Sequence, residues 1–359
     1  MQKSNREKER IGLNTIKAGI IGYGLSGAVF HAPTIHAAEG LELVKVVTSR
    51  EEEVRKDWPG VQVVQDPEAL FRDPDLDLVV VATPNTLHYP LAEQALKAGK
   101  HVVVEKPFVI HADEGIALAR LAQEKGRVLS VYHNRRWDND FLTVKKWIEE
   151  GRLGNIHTFQ VRFDRFRPQV RDRWREKDLP GAGILYDLGS HLIDQALTLF
   201  GDPETVFGDV QAQRPGAETE DYFHIVLGYE NGLRAILHAG SMVKQPGPRF
   251  EVHGSRGSLV KYGMDSQENS LKQGMKPGDP GWGEDDPECY AEVTLEEGGQ
   301  TVTETVPTLR GRYEDYYRNL VQSVTRGVPA PVTAEDGVRV IRVIERVKES
   351  CANQKTLSL

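Results

Sequence analysis

Lys17-Ala18-Gly19-Ile20-Ile21-Gly22-Tyr23-Gly24-Leu25-Ser26-Gly27 begins as a short apolar run and ends as a GxGxxG motif. The run Lys17 to Ile21 reads as a buried strand, and the glycines then fall at the turn between that strand and a helix. In such a turn Gly22 makes the tight reversal, Gly24 lets a pyrophosphate approach the backbone, and Gly27 lets helix and strand pack closely. The amino terminus of the following helix would face the phosphates. Gly22, Tyr23, Gly24, Leu25, Ser26 and Gly27 are therefore the candidate phosphate-binding loop. A glycine-rich structural turn is the bland alternative, and the orderly sequence of strand, motif, helix and second strand argues against it. Pro33 falls inside the first helix, which it should shorten or kink.

Outward from this loop, Leu41 to Val47, Leu78 to Ala82, His101 to Val104 and Val128 to His133 read as further buried strands. Pro90 to Ala98 and Ala112 to Lys125 carry apolar residues on one helical face, as crossover helices do. The polar stretch Asn134 to Asn139 marks a junction, dividing a Rossmann domain over residues 1–134 from a second domain over residues 135–359. Beyond it a helix is expected at Phe141 to Glu150. Val161 to Phe166, Val206 to Gln213, Phe223 to Tyr229, Arg234 to Ala239 and Phe250 to His253 alternate as antiparallel strands do. A helix from Leu188 to Leu199 ends at Gly201, Asp265 to Asp286 reads as a long surface loop, and helices at Tyr313 to Thr325 and Ala334 to Ser350 close the chain. The fold class is α/β followed by α+β: a parallel Rossmann sheet, then a domain on a large open, mainly antiparallel sheet, with the closing helices free to pack back on the first domain.

A chain of 359 residues has room for two such domains. It has 39% hydrophobic and 27% charged residues and no apolar run near the roughly 20 residues of a membrane span, so no membrane partner is expected. Met1 to Arg10 is polar and charged where a secretory signal would be apolar, which points to the cytoplasm. Cys289 and Cys351 form no disulfide framework or metal pair and read as ordinary thiols. A net charge of −8 disfavours nucleic acid. The densest basic stretch, Arg162 to Lys177, also holds Asp164, Asp172 and Glu176, and reads as local anion handling.

The end of the second strand bears on which nicotinamide cofactor is bound, because an NAD enzyme usually places Asp or Glu there. This chain has Val47-Thr48-Ser49-Arg50. The Ser49 hydroxyl and the Arg50 guanidinium would bind the 2′-phosphate of NADP, which a carboxylate would repel. NADP is expected, with NAD possible; Glu51, Glu52 and Glu53 would have to turn outward, and Arg50 is also compatible with a solvated surface residue.

Three further segments are Thr83-Pro84-Asn85-Thr86-Leu87-His88, Glu105-Lys106-Pro107 and Asp187-Leu188-Gly189-Ser190-His191. With the glycine motif, and in this order, they resemble the glucose-fructose oxidoreductase, inositol dehydrogenase and rhizopine catabolism family, Gfo/Idh/MocA. Tyr132-His133-Asn134-Arg135-Arg136-Trp137-Asp138 is similar to the branch that contains NADP-dependent scyllo-inositol dehydrogenases. The resemblance implies hydride transfer between nicotinamide and a secondary alcohol or ketone of a cyclic polyol or sugar, with another sugar substrate (an aldose, a 1,5-anhydro ketose) or a non-catalytic cofactor-sensing regulator as alternatives. It implies that Thr83, Pro84, Asn85 and His88 line the cofactor, that Glu105 and Lys106 lie beside the nicotinamide ribose, and that Asn134 lies near the ring. Trp174-Arg175 resembles a pair that reaches the cofactor from the second domain, and is equally compatible with a buried tryptophan beside a salt bridge. The resemblance also implies a homodimer or homotetramer assembled through the open sheet.

The residues carry their own reading. Thr83-Pro84 and Glu105-Lys106-Pro107 fall at the carboxyl ends of parallel strands, where open α/β sheets bind ligands. Lys106 there would hydrogen-bond the reacting oxygen, or else reach solvent as a strand-end lysine. Asp187 and His191 are four residues apart, so in an α-helix the carboxylate would orient the imidazole and stabilise its charged form. His191 has the acidity of a general base near neutral pH. Lys106, Asp187 and His191 are the candidate catalytic residues. With no cysteine or second nearby histidine to complete a set, Asp187, His191 and Asp194 are not expected to hold a metal.

Overall fold

The computed structural model describes residues 15–359, so the expectation about Met1 to Arg10 lies outside the described residues. Six strands, β1 Ile16–Ile21, β2 Leu41–Val47, β3 Gln62–Val64, β4 Leu78–Val81, β5 His101–Glu105 and β6 Leu129–Tyr132, pair in the order β3-β2-β1-β4-β5-β6. Every pairing is parallel. Val79, Val80, Val81, Val102, Val103 and Val104 are fully buried, as expected for central strands covered by helices on both faces. The chain builds outward from β1 to β3 and then crosses to the other side of β1 for β4. That reversal opens a crevice at the carboxyl ends of the strands.

The second sheet has nine strands: β7 Ile156–Arg162, β8 Thr205–Gln211, β9 Tyr222–Gly228, β10 Arg234–Gly240, β11 Phe250–Gly254, β12 Gly257–Lys261, β13 Ala291–Glu297, β14 Gln300–Val306 and β15 Leu357–Ser358. Their order is β14-β13-β12-β11-β7-β10-β9-β8-β15; β7 and β10 run parallel and the other pairings are antiparallel. On β9 and β10 the buried Phe223, Ile225, Leu227, Ala235 and Leu237 alternate with partly exposed Tyr222, His224, Ile236 and His238. One face of the sheet thus packs on the core and the other faces outward.

Several sequence expectations change here. The expected strand Val161 to Phe166 lies earlier, at Ile156–Arg162; beyond it the regular ladder ends, though Phe163 and Arg165 still donate to the His238 and Gly240 carbonyls of β10 at 2.8 and 2.9 Å and Phe166 bridges Met242. The stretch Asp265 to Asp286 is not simply a surface loop. It contains a helix at Gln267–Lys272, a buried Asp265 that accepts the Asn139 amide at 2.7 Å, and a fully buried Trp282 whose indole donates to Glu314 at 2.9 Å. Glycine, proline and aspartate mark turns, but distant partners decide burial. The first helix is interrupted as Pro33 suggests: a π-helical turn, Ser26–His31, runs into an α-helix, Ala32–Ala37, with Pro33 in its first turn, where a missing N–H costs little. A second π-helical turn, Leu185–Gly189, precedes the helix Ser190–Phe200, which Gly201 ends at φ +76°. Both π-turns lie at the crevice, a common location for them. The closing helices, Glu314–Arg326 and Ala334–Asn353, do return to the first sheet: the last packs on helix Ala112–Lys125 and on β8, and the Ser130 hydroxyl donates to the Val332 carbonyl at 2.8 Å.

Candidate active site

The glycine loop forms one wall of a cavity of about 600 Å³, a volume suited to a ligand of substantial size. Gly22 sits at φ +99°, where a side chain is strained. A Cβ on Gly24 would meet nothing within 4 Å, so the backbone here lies open to an approaching phosphate. A Cβ on Gly27 would stand 2.1 Å from the Gly22 carbonyl oxygen. Gly27→Ala must therefore push the loop off its strand, and is expected to cost about 1 to 3 kcal/mol of stability, read as a lower Tm together with weakened dinucleotide binding. Leu25 and Ser26 also line the cavity, whereas the Tyr23 side chain is buried and turned towards Asp57, which corrects its assignment to the cofactor surface.

His88 needs the same correction. Its ring is fully buried, with Nδ1 2.8 Å from the Pro107 carbonyl and Nε2 3.0 Å from that of Thr83. It braces the two cleft loops from behind, and burial lowers its pKa. Thr83, Pro84 and Asn85 do line the cleft, and the Asn85 amide donates across it to Gly181 O at 2.7 Å. Glu105 lines the cleft too, but its oxygens are already engaged, accepting from the Ser26 hydroxyl, from the Lys106 amide at 2.8 Å, and pairing with His31 Nε2 at 3.1 Å. Burial would raise the Glu105 carboxyl, but His31, Lys106 and Ser26 outweigh it and hold it at about 2. At the end of the cleft next to β2, Arg50 is exposed and lines the cleft, 3.6 Å from Glu53; Ser49 is exposed nearby but not part of the lining.

At the opposite end the Lys106 ammonium donates to Asp187 twice, to the carboxylate at 2.9 Å and to the backbone carbonyl at 2.8 Å. Burial would raise the Asp187 carboxyl, but Lys106, Arg175 and Arg165 together hold it well below the usual carboxylate range. His191 is also buried; burial first, and then the positive charge of Lys106, lower its pKa well below the ordinary histidine value. Its Nδ1 is sealed from solvent without a partner, so Nε2 is the ring nitrogen left to the cleft. The expected support of His191 by Asp187 is thus corrected. The π-turn Leu185–Gly189 breaks the α-helical i, i+4 register, and the carboxylate is spent on Lys106 and, at 3.6 Å, on Arg175. Asp194 is likewise taken, bound by Arg136 through bonds of 2.6 and 2.9 Å. Asn134, Trp174 and Arg175 line the same cleft, with the Arg175 guanidinium stacked 4.6 Å over the Trp174 ring.

The cleft also recruits Arg135, from the quoted segment Tyr132 to Asp138, and residues that no motif identified: Phe30, Arg165, Arg167, Arg171, Arg173, Glu268 and Lys272. The only signal for the arginines was the basic run Arg162 to Lys177. What places them is Arg214, farther along the chain by 38 residues from Glu176 and 45 from Gln169, which is buried and bonds Asp221 at 2.7 Å, Glu176 at 3.1 Å and the Gln169 carbonyl at 3.1 Å, fixing the segment over the cleft. Among the described residues no group of three His, Cys, Asp or Glu is placed to hold a metal, and no helix is long and apolar enough to cross a membrane.

Comparison with known proteins agrees with this architecture. Residues 16–133 match the oxidoreductase-family NAD-binding Rossmann fold of Gfo/Idh/MocA, and residues 145–359 match that family's C-terminal alpha/beta domain. The chain belongs to the Gfo/Idh/MocA oxidoreductase family. Within it, the chain is 51% identical over 352 residues to scyllo-inositol 2-dehydrogenase (NADP(+)) IolW of Bacillus subtilis, covering 98% of both chains. It is 26% identical to the myo-inositol 2-dehydrogenase of Thermotoga maritima, over 96% of this chain and 98% of that one. Among solved structures, the Bacillus subtilis oxidoreductase YvaA superimposes with a TM-score of 0.95 at 51% identity, covering 98% of this chain and all of that one. An oxidoreductase of Yersinia pestis follows at 0.92 and 44% identity, covering 96% and 97% of the two chains. Like these Gfo/Idh/MocA relatives, the chain is an oxidoreductase of the dehydrogenase type, with a Rossmann domain for NAD(P) and a mainly antiparallel second sheet.

Proposed function

We propose that this Gfo/Idh/MocA enzyme is an NADP-dependent dehydrogenase of a cyclic polyol, with scyllo-inositol and its ketone as the first pair to test. The observation that carries the reading is the convergence of Lys106, Asp187 and His191 at the end of the cleft that begins at the open Gly24 backbone. The bound nicotinamide supplies the hydride acceptor in oxidation and the donor in reduction. His191 accepts the hydroxyl proton on the ring nitrogen that faces the cleft. Lys106 hydrogen-bonds the same substrate oxygen and offsets its developing negative charge. Asp187 holds the ammonium in place. The similarity to IolW supports both the polyol and NADP. The test is a panel of inositols, other cyclic polyols, aldoses and a 1,5-anhydro ketose with NADP and NAD, followed by the absorbance of reduced nicotinamide. Turnover with scyllo-inositol well above the aldoses supports the reading, and turnover confined to aldoses overturns it.

Arg50 sets the cofactor preference in this proposal, by a charge-assisted contact to the 2′-phosphate. Arg50→Ala should weaken NADP binding by about 1.5 to 3 kcal/mol, roughly tenfold to a hundredfold, and leave NAD binding nearly unchanged. Titrations with both cofactors measure this, and equal losses for the two would remove Arg50 from the phosphate site. The same reading takes the division between domains after residue 134, a cytoplasmic location, and a homo-oligomer formed through the outward face of the nine-stranded sheet, the last testable by the mass in solution.

A further inference from the structure

The residue behind the proton-accepting imidazole is His133, which leaves the carboxyl end of β6 immediately before Asn134. It is 1% exposed, and neither of its ring nitrogens has a hydrogen-bond partner. A buried ring nitrogen without a partner forfeits its hydration with nothing in return, so their placement calls for a use. The ring stands edge-on to His191, with centroids 6.4 Å apart and planes at 80°. On its other side Nδ1 lies 4.0 Å from Asp194, whose carboxylate Arg136 clamps through two hydrogen bonds. Three nitrogens of the two rings, both of His133 and Nδ1 of His191, are thus buried without a hydrogen-bond partner.

We infer that His133 is a positioning residue for His191: it accepts the Nδ1–H of His191 through one bridging water and so holds the tautomer whose Nε2 is unprotonated towards substrate. The ring spacing is wider than a direct N–H···N bond closes, and a buried water needs polar partners on two sides, which this site has. His133 in turn donates from its own Nδ1 towards Asp194. When the substrate hydroxyl passes its proton to His191 Nε2, as the hydride leaves from the carbon that bears it, the Nδ1–H stays in place. The new positive charge on His191 is stabilised by the His133 lone pair, with the Asp194 carboxylate behind it. Fixing a functional histidine through its second nitrogen is a general requirement. Asp187 does not meet it here, because it is bound to Lys106. The charged groups around the pair are Lys106, Arg135, Arg136, Asp194, Arg249 and Asp336, and a protonated His133 would repel a protonated His191, so the support described requires His133 to be neutral. Burial keeps both rings neutral at rest, burial being the largest cause for each.

The inference rests on His191 being the base, and the test separates the two. His133→Phe keeps the ring volume and removes both nitrogens, and His133→Gln restores an acceptor and a donor. His133→Phe should lower kcat for polyol oxidation about 10- to 100-fold with NADP affinity near wild type. Because it withdraws support from protonated His191, the ascending limb of the pH profile should move to lower pH. His133→Gln should recover part of both effects. In the cofactor-free protein, ¹⁵N-histidine NMR, with His191→Ala to assign the signal among the 11 histidines, should find His191 as the Nδ1–H tautomer in wild type and as a mixture in His133→Phe. An unchanged pH profile and tautomer in His133→Phe, or equal losses of activity and Tm in the Phe and Gln variants, would overturn the role of His133. If His191→Ala itself retains turnover, the proposal of His191 as the base fails instead.

Discussion

His191→Ala is expected to lower kcat by about 10² to 10⁴-fold, the usual cost of removing a general base, while NADP binding stays near wild type. In the proposed function the imidazole serves the substrate, and the glycine loop and Arg50, which line the same cleft, serve the cofactor phosphates, so its loss should leave cofactor binding intact. It is also buried and depressed in pKa, first by burial and then by Lys106, so the neutral, proton-accepting form predominates across the neutral range. Oxidation should therefore remain active well below the ordinary histidine pKa and fall only when His191 is protonated. Steady-state kinetics and cofactor titration together decide this. Near wild-type turnover in the variant would make Lys106 the leading candidate for the base.

Lys106→Ala should damage both turnover and substrate binding, by about 10² to 10³-fold in kcat/KM, because its charge acts on the ground-state hydroxyl and on the alkoxide that develops from it. The loss reaches further than the missing contact. Of Lys106 and Arg175, Asp187 would keep Arg175, at 3.6 Å, and the buried carboxylate would lose its strongest stabilising charge. His191 would at the same time lose a neighbouring positive charge, so the ascending limb of the pH profile should move to higher pH. This is the opposite of the shift expected for His133→Phe, and it separates loss of a repelling charge from loss of a supporting hydrogen bond. A Lys106→Ala variant with unchanged KM and an unshifted profile would remove the lysine from the substrate oxygen.

The sequence was most informative where local chemistry dictates geometry. The glycine spacing needs a tight turn and close backbone approach whatever surrounds it, and the structure puts Gly22 at φ +99° with Gly27 against the Gly22 carbonyl. The continuous valine runs of β4 and β5 could only be strands covered on both faces. Less legible were strands such as Gln300–Val306, almost wholly exposed and polar, which carry no alternation for a reader to find. The basic run Arg162 to Lys177 was visible as charge, but its aim into the cleft was not, because the residues that hold it, Arg214 and Asp221, lie far along the chain.

By itself the sequence determined the parallel first sheet with its glycine turn, the mainly antiparallel character of the second sheet, and the family motifs Glu105-Lys106-Pro107 and Asp187 to His191. Tertiary structure alone decided how those residues are used. A spacing of four placed Asp187 beside His191 in an ideal α-helix; the π-turn changed the register, and Lys106 from the other sheet took the carboxylate. The histidine was left to face His133, a neighbour 58 positions away in the chain. Short-range patterns specify backbone conformation because they act through the residue's own sterics and hydrogen bonds. Which charge pairs with which is settled by burial, where an ion must find its partner among whatever the fold brings within reach.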